Sequence, residues 1–266
     1  MSNSLPNALP NVLTRVLILG GTTEARGLAE RLAARNDLDI TLSLAGRTIA
    51  PVALPVPVRI GGFGGAAGLA DYLAGERVDV LIDATHPYAQ AISANAAAAA
   101  RRTGVRFVAL RRPPWTRTDG DRWTEVNDIP AAIAALGVAA RRVFVALGRN
   151  ELAPFVQAPQ HWYLIRSVDP VTPPLPLPHA EYVTGRGPFS EADDRALLAA
   201  HRIDAVLAKN SGGRATYGKI VAARTLGLDV IMLRRPELPD APSVATVDEA
   251  FAWLDQALTL ATARGV

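Results

Sequence analysis

The hydrophobic residues of the chain form short aliphatic runs that alternate with longer segments of helical spacing. The runs 15–19, 78–82 and 106–110 are rich in Val, Ile and Leu, which is typical of strands covered on both faces. Between them, leucines and alanines recur on one helix face, and Gly104 marks a helix end. Strands that alternate with helices are joined by right-handed crossovers into a parallel sheet. The pattern therefore predicts an α/β fold.

The second half of the chain repeats the order of the first. Segments 15–20 and 142–148 each contain an Arg-Val pair, a strand and a glycine. Gly104 matches Gly227, and Asp128 and Asp248 each open a helix at the end of their half. A diverged duplication leaves such a pattern. It predicts two similar α/β halves whose parallel sheets face each other across a cleft.

The predicted elements divide the chain into four parts. Residues 1–14 form a flexible tail, 15–127 a first domain, 128–247 a second domain and 248–266 a C-terminal helix. The end of the first domain, residues 111–126, is expected to be irregular.

Composition narrows the class of protein. Of 266 residues, 49% are hydrophobic and 20% are charged, as in a globular protein with a substantial core. Cysteine is absent, which excludes disulfides and thiolate chemistry, and a net charge of +3 without charged blocks argues against nucleic acid. The tail lacks a secretion signal and no apolar segment could span a membrane, so a cytoplasmic protein is expected. Without a cluster of His, Asp and Glu at ligand spacing, we expect no bound metal.

A glycine turn after the first strand is the first candidate site. Gly20, Gly21, Thr22 and Thr23 lie between a strand and a helix, where backbone N–H groups and the helix dipole favour a phosphate. The spacing is not G-x-G-x-x-G, and the two threonines could merely cap the helix.

The second strand indicates the kind of dinucleotide. NAD-binding sheets place an acidic residue near the end of this strand to hold the ribose 2′-hydroxyl. Here Ser43, Arg47 and Thr48 stand instead, and they suit a 2′-phosphate. This favours NADPH over NADH, unless Arg47 is simply a solvated loop residue.

The most informative stretch follows the strand 78–82. Asp83, Thr85, His86 and Tyr88 lie together at a strand end, where ligands of open α/β sheets bind. The alternative is that Asp83 caps the helix and His86 packs locally. A glycine-rich segment, 61–65, includes Gly62 and Phe63 and permits either close approach of a ligand or a tight turn.

Strand-end loops of the second half carry basic residues. Lys209 and Lys219 are the only lysines of the chain, and each could have a specific role or be there by chance. Together with Arg149, Arg166 and Arg186 they would form a basic wall suited to a polycarboxylate ligand.

The motifs GGTTEAR, SLAGRT, GGFGG, DATHPYA, LRRPPW, GRGPF and KNSGG with TYGK occur in this order. The chain resembles the precorrin-6A reductase family of cobalamin biosynthesis, including its cobalt-precorrin relatives. The resemblance covers nearly the whole chain, and DATHPYA and the lysine segment are its specific parts.

The resemblance implies two Rossmann-like domains, NADPH bound mainly by the first, and a tetrapyrrole substrate, precorrin-6A, whose ring double bond is reduced to give precorrin-6B. Neighbouring pathway enzymes are candidate partners. It implies pyrophosphate contacts at Gly20–Thr23 and a site for nicotinamide and macrocycle at 83–88, with the second domain closing from the other side. The residues expected in catalysis are Asp83, His86, Tyr88, Tyr217 and Lys219. Those expected to bind substrate are His86, Tyr88, Arg149, Arg186, Lys209, Asn210, Ser211, Tyr217 and Lys219. Those expected to bind the cofactor are Gly20, Gly21, Thr22, Thr23, Ser43, Arg47, Thr48, Gly62, Phe63, Asp83 and Thr85.

Three other functions share part of this pattern. A different NADP-dependent reductase of a small substrate would share the first half but would not explain the basic second half. A non-catalytic two-lobed anion-binding protein would not explain the phosphate turn. A tetrapyrrole methyltransferase-like protein with an adenosyl cofactor would be expected to have an acidic ribose ligand in place of Arg47.

Overall fold

A computed structural model describes the chain from residue 13 to 46 and from 53 to 262. The strands, in chain order, are β1 (Thr14–Leu19), β2 (Leu38–Leu44), β3 (Val58–Ile60), β4 (Val80–Asp83), β5 (Arg106–Leu110), β6 (Arg122–Val126), β7 (Arg142–Ala146), β8 (Trp162–Ser167), β9 (Ala180–Thr184), β10 (Ala205–Lys209), β11 (Asp229–Leu233) and β12 (Ser243–Val244). The α-helices are α1 (Thr23–Leu32), α2 (Gly65–Gly75), α3 (Gln90–Thr103), α4 (Ile129–Leu136), α5 (Glu191–Ala200), α6 (Gly218–Leu226) and α7 (Val247–Thr262).

The chain divides into two compact units. The first contains the residues up to Arg111 together with those from Leu238 onwards, and the second contains Arg112–Glu237. Each unit has one six-stranded sheet, and every strand pairing within the described residues is parallel. The predicted α/β fold of two similar halves is confirmed.

The first sheet, ordered β12-β5-β4-β1-β2-β3, lies between two helical layers. On one face Val16 and Ile18 pack with Leu28 of α1 and Leu254 of α7. On the other face Leu17 and Leu19 pack with α2 and α3. Because successive residues of a strand point to opposite faces, the unbroken aliphatic run of β1 supplies both cores.

The second sheet, ordered β6-β11-β10-β7-β8-β9, repeats this arrangement. Phe144 and Val206 contribute to a core that includes Leu198 of α5 and Ile220 of α6. The matched glycines of the repeat have the same role, since Gly104 and Gly227 end α3 and α6 with φ of 75° and 66°. This left-handed conformation favours glycine at a helix end.

The predicted domain boundaries differ from the observed ones at both ends of the second half. Residues 111–126 are not irregular throughout, because β6 forms there and pairs with β11 of the second sheet. Its only buried side chain is Trp123, so this edge strand carries no aliphatic run. The C-terminal segment belongs to the first unit, where β12 pairs with β5 and α7 packs in the core. Of the predicted tail, residues 1–12 lie outside the described residues, and Thr14 already belongs to β1.

Helix α2 offers a test of the packing, because its interior glycine, Gly68, and its last residue, Gly75, differ in surroundings. A Cβ on Gly68 would lie 1.8 Å from the carbonyl oxygen of Phe63, whereas a Cβ on Gly75 would meet nothing within 4 Å. We expect Gly68→Ala to lower the free energy of unfolding by about 1–3 kcal/mol, since the backbone must move. Gly75→Ala should raise it by up to about 1 kcal/mol through helix propensity. Chemical denaturation of both variants checks this; equal effects would contradict it.

Candidate active site

The predicted site residues of the first unit lie along the carboxyl edge of its sheet. Leu19 is in register with Asp83 on one side and Ser43 on the other, and Ser43 is in register with Arg59 on β3. The chain leaves β1 toward β2 and β3, then returns to β4 on the opposite side. Ligands of open α/β sheets bind at such a switch point. The sheet therefore brings Asp83, Ser43 and the turn after Leu19 to one edge.

The turn after β1 is fixed by backbone and hydroxyl contacts. The N–H of Gly20 donates to the carbonyl of Ser43 (2.8 Å), and a Cβ on Gly20 would lie 2.7 Å from Leu42 Cδ1. Gly21 has φ of +118°, with open space where a side chain would begin. The positive φ of Gly21 therefore favours glycine, a side chain at Gly20 would need Leu42 to shift, and the backbone of Gly21 remains open to close approach.

Thr22 has the capping role that the sequence left open. Its hydroxyl accepts a hydrogen bond from the N–H of Ala25 (3.0 Å) and donates one to the carbonyl of Ala84 (2.8 Å). The hydroxyl thus joins the start of α1 to the loop after β4. Thr23, the first residue of α1, is exposed at the same helix end.

The loop after β4 is organised by a buried carboxylate. Asp83 is 3% exposed and accepts hydrogen bonds from the N–H (3.1 Å) and hydroxyl (2.6 Å) of Thr85. The Thr85 hydroxyl also lies 3.3 Å from the hydroxyl of Ser93 in α3. Asp83 therefore shapes the loop rather than capping α3, which begins after Ala89 without a side-chain cap.

His86 and Tyr88 lie side by side in this loop. Their ring centroids are 5.6 Å apart, and the N–H of Tyr88 donates to Nδ1 of His86 (3.3 Å). Since Nδ1 accepts, a neutral His86 carries its hydrogen on Nε2, which makes Nε2 the donor atom of the ring. Both side chains are half-buried.

Ser43 is buried at the end of β2, whereas Arg47 and Thr48 lie outside the described residues. The sequence analysis missed Arg59, whose Nη1 lies 3.4 Å from the Ser43 hydroxyl. A charged residue between Val58 and Ile60, two positions before the Gly61-Gly62 pair, was the available signal.

The glycine-rich segment forms a tight turn around Phe63. Gly61 and Gly64 have φ of +121° and +78°, and Gly64 precedes α2. The Phe63 ring meets Tyr72 edge-on, with centroids 5.1 Å apart, and the carbonyl of Gly62 accepts a hydrogen bond from Arg59. A role of Gly62 and Phe63 in cofactor binding stays a prediction.

The corresponding turn of the second unit is filled by the protein's own carboxylate. Glu151 accepts a hydrogen bond from the N–H of Gly148 (3.0 Å) and pairs with Lys209 Nζ (2.5 Å). A carboxylate at this turn would repel a phosphate. Both this carboxylate and the lack of paired glycines make the turn after β7 less suited to a phosphate than the turn after β1.

The other predicted substrate residues have structural partners. Arg149 lies 3.6 Å from Asp169, and Arg186 is exposed after β9. The amide of Asn210 accepts from the N–H of Trp115 (2.7 Å) and donates to its carbonyl (2.9 Å). Ser211 Oγ is 3.2 Å from Thr216 Oγ1. Substrate contacts by these residues stay predictions.

Tyr217 is held in place by an arginine. Its hydroxyl accepts a hydrogen bond from Arg224 Nη2 (2.9 Å), and its ring lies 5.3 Å from that of Trp115. Arg224 also pairs with Asp121 (2.9 Å). Burial alone would raise the pKa of Asp121, but hydrogen bonds from Arg224 and Thr118 lower it. The ion pair thus fixes Arg224 against the Tyr217 hydroxyl.

Two members of the predicted basic wall are interior groups. Lys219 is 4% exposed, and its ammonium donates to the carbonyl of Thr216 (2.5 Å) and lies 5.0 Å from the centre of the Trp115 ring. The Arg166 side chain is 9% exposed and pairs with Asp194 (2.5 Å). The wall is therefore smaller than predicted, because α6 begins at Gly218 and buries the next side chain against β8 and α5.

Burial also changes the proton affinity of Lys219. Desolvation, with the nearby Arg166, lowers the pKa of Lys219 to about 7, although Asp194 opposes the shift. The lysine is thus able to lose its proton near neutral pH.

Among the described residues, no helix combines the length and hydrophobicity that crossing a membrane would require. Within the same residues, no group of three or more His, Asp or Glu side chains could hold a metal ion.

Two parallel α/β sheets, one with a glycine turn leading into a helix at its switch point, define a protein of the nucleotide-binding, Rossmann-like class. The family described as "Precorrin-6x reductase CbiJ/CobK" matches residues 15–255. The chain belongs to this family, which makes it a reductase.

Named relatives match the chain over nearly their whole length. A precorrin-6A reductase from Sinorhizobium sp is 56% identical over 251 residues, covering 94% of this chain and 96% of that protein. One from Rhodobacter capsulatus is 53% identical, covering 96% of this chain and all of that protein (100%). The solved structure "CobK precorrin-6A reductase" has a TM-score of 0.89 and 52% identity, covering 92% of this chain and 97% of that one.

Family and fold together indicate a nicotinamide cofactor, and the first unit fits one. Gly21 leaves open space beside the N-terminus of α1, where a side chain would otherwise stand. A pyrophosphate bound there would approach the backbone and the positive end of the helix dipole.

The pKa of Lys219 predicts a pH dependence of stability. Its folded value of about 7 lies below the ordinary 10.5, so the unfolded chain binds an extra proton between these pH values. Stability then rises with pH across that window. We expect wild type to gain up to about 1.4 kcal/mol per pH unit relative to Lys219→Met, measured by denaturation from pH 7 to 9.5. A difference that stays constant with pH would contradict the prediction.

Proposed function

We propose that this protein reduces a double bond in the macrocycle of precorrin-6A with NADPH and yields precorrin-6B in cobalamin biosynthesis. The observation that carries this proposal is the carboxyl edge of the first sheet, where the glycine turn, Ser43 and the Asp83 loop lie together. The chain also belongs to a family of reductases. The names of relatives at 53–56% identity supply the substrate.

The first unit is the proposed cofactor domain. Its turn presents open backbone at Gly21, whereas the equivalent turn of the second unit is occupied by Glu151. NADPH is proposed over NADH because Ser43, and no acid, stands at the end of β2. Arg47 and Thr48, which follow it in sequence, are proposed to contact the 2′-phosphate.

The protein's part in the reaction is to bind, orient and deliver a proton. Bound NADPH supplies the hydride. Asp83 holds the loop through Thr85, and the loop carries His86 and Tyr88 beside each other. We assign these two side chains to the orientation of the substrate. Both are also of a type that can donate the proton that reduction requires.

The second unit is proposed to supply the cationic side chains that bind the carboxylates of the substrate. Arg149 and Arg186 follow strands β7 and β9 of its sheet, and Lys209 is the last residue of β10. Lys209 and Arg149 each lie beside an acidic partner, Glu151 and Asp169. A substrate carboxylate would therefore share these cations with the protein's own acids, and each such contact would be weaker than one to an unpaired cation.

The function is tested by following NADPH absorbance with purified protein and precorrin-6A, with NADH in parallel. We expect NADPH to be oxidised and NADH to be oxidised much more slowly, because the 2′-phosphate site discriminates between them. The product should gain two hydrogens in its mass spectrum.

Two outcomes would overturn parts of the proposal separately. Tight NADPH binding without oxidation would favour a reductase of another small anionic substrate or a non-catalytic anion-binding protein. Binding of neither nucleotide would mean that the turn at Gly20 and Gly21 is not a cofactor site.

The orienting role of the loop is tested by combining His86→Phe and Tyr88→Phe. We expect the double variant to lose turnover by roughly tenfold or more, because a loosely held substrate reaches the reactive geometry less often. Its affinity for NADPH, measured by calorimetry, should stay within about twofold of wild type. Full turnover in the double variant would exclude the role.

A further inference from the structure

Arg59 lies on β3 where the carboxyl edge of the first sheet reaches the edge strand. Ser43 is its partner in register on β2, and Leu19 is in turn the partner of Ser43. Neighbouring strands are about 4.8 Å apart, so Arg59 stands two strands, or roughly 10 Å, from the strand that leads into the glycine turn. That is the direction in which the adenosine half of a dinucleotide extends from a pyrophosphate at the first turn.

The guanidinium of Arg59 is held in one orientation. Nη1 donates to the carbonyl of Gly61 (2.7 Å) and approaches Ser43 Oγ (3.4 Å), and Nη2 donates to the carbonyl of Gly62 (2.8 Å). The group also lies over the Phe63 ring, 3.8 Å from its centre. A charged group fixed in this way loses little conformational entropy when it binds a ligand.

No carboxylate among the described residues neutralises the charge of Arg59. Within the described residues its partners are carbonyl oxygens, one hydroxyl and two aromatic rings, and no carboxylate pairs with it. In contrast, Arg35 and Arg31 of the same unit pair with Asp255 and Asp248.

Arg59 also keeps donors for a ligand. A guanidinium has five N–H groups, and the bonds above use three, which leaves Nε–H and one N–H of Nη2. Two donors in a planar fork suit a phosphate. The Ser43 hydroxyl lies 3.4 Å from Nη1 of the same guanidinium, and Ser43 stands where an NAD-binding sheet has its acid.

We propose that Arg59 is a specificity residue that, with Ser43, binds the 2′-phosphate of NADPH. The inference rests on the proposed function and deepens it, since it adds a described residue to the cofactor site predicted from Arg47 and Thr48. The aromatic rings and the two glycine carbonyls are the support that positions this guanidinium.

The alternative role for Arg59 is to hold the turn at Gly61 and Gly62. The two roles differ in one measurable respect. A 2′-phosphate ligand affects NADPH and 2′,5′-ADP but leaves NADH and 5′-AMP nearly unchanged. A residue that only shapes the turn affects the binding of all four compounds alike.

The experiment is calorimetric titration of Arg59→Met with NADPH, NADH, 2′,5′-ADP and 5′-AMP, without substrate. Methionine keeps an apolar stem over Phe63 and removes the charge. We expect the Kd for NADPH and 2′,5′-ADP to rise on the order of 10- to 100-fold, as for loss of a hydrogen bond to a charged group. The Kd for NADH and 5′-AMP should change by less than about threefold.

Arg102→Met is the matched control. Arg102 is exposed in the last turn of α3, at the opposite end of the sheet, and its replacement removes the same net charge. We expect it to leave all four affinities within about twofold. Circular dichroism of both variants establishes that they are folded.

The outcomes separate this inference from the proposed function. If wild type prefers NADPH and Arg59→Met keeps that preference, or loses affinity for all four compounds equally, the assignment of Arg59 is wrong and NADPH use stands. If wild type binds the two dinucleotides equally or not at all, NADPH specificity fails, and the role of Arg59 fails with it.

Discussion

At the switch point of the first sheet, the hydroxyl of Thr22 connects the segment that follows β1 with the segment that follows β4. It accepts from Ala25 at the start of α1 and donates to Ala84 after β4. This side chain, together with the backbone hydrogen bond from the N–H of Ala84 to the carbonyl of Leu19 (2.9 Å), fixes the glycine turn relative to the Asp83 loop. A phosphate bound at the turn and a ring bound at the loop would have a defined separation, which hydride transfer requires.

The two sheets share their strand order, but the turn after β1 and the corresponding turn after β7 are stabilised by different interactions. In the first, neutral hydrogen bonds leave the backbone of Gly21 open. In the second, the ion pair between Glu151 and Lys209 covers the turn, and Glu151 also binds the N–H of Gly148. The turn after β1 thus leaves its backbone open, whereas the turn after β7 carries a carboxylate that already binds its backbone N–H. The fold alone would not reveal this difference, because it depends on single side chains.

The sequence predicted most of the fold because the central strands are aliphatic on both faces. The helix ends at Gly104 and Gly227 could also be predicted, because the left-handed conformation at a helix end favours glycine. The edge strand β6 was missed because only Trp123 of it is buried. In the site, the strand-end positions of Ser43 and Asp83 followed from the pattern. The burial of Lys219 did not, because it depends on how α6 packs against Asp194 and Arg166.

The route of the chain through the two units has a consequence for how the protein is made. The chain leaves the first unit after Arg111 and returns at Leu238 to supply β12 and α7. Helix α7 contributes Ala250 and Leu254 to the core around Val16 and Ile18. On the ribosome, the first unit therefore remains unfinished while the whole second unit emerges and can fold. The domain that begins the chain is the last to be completed.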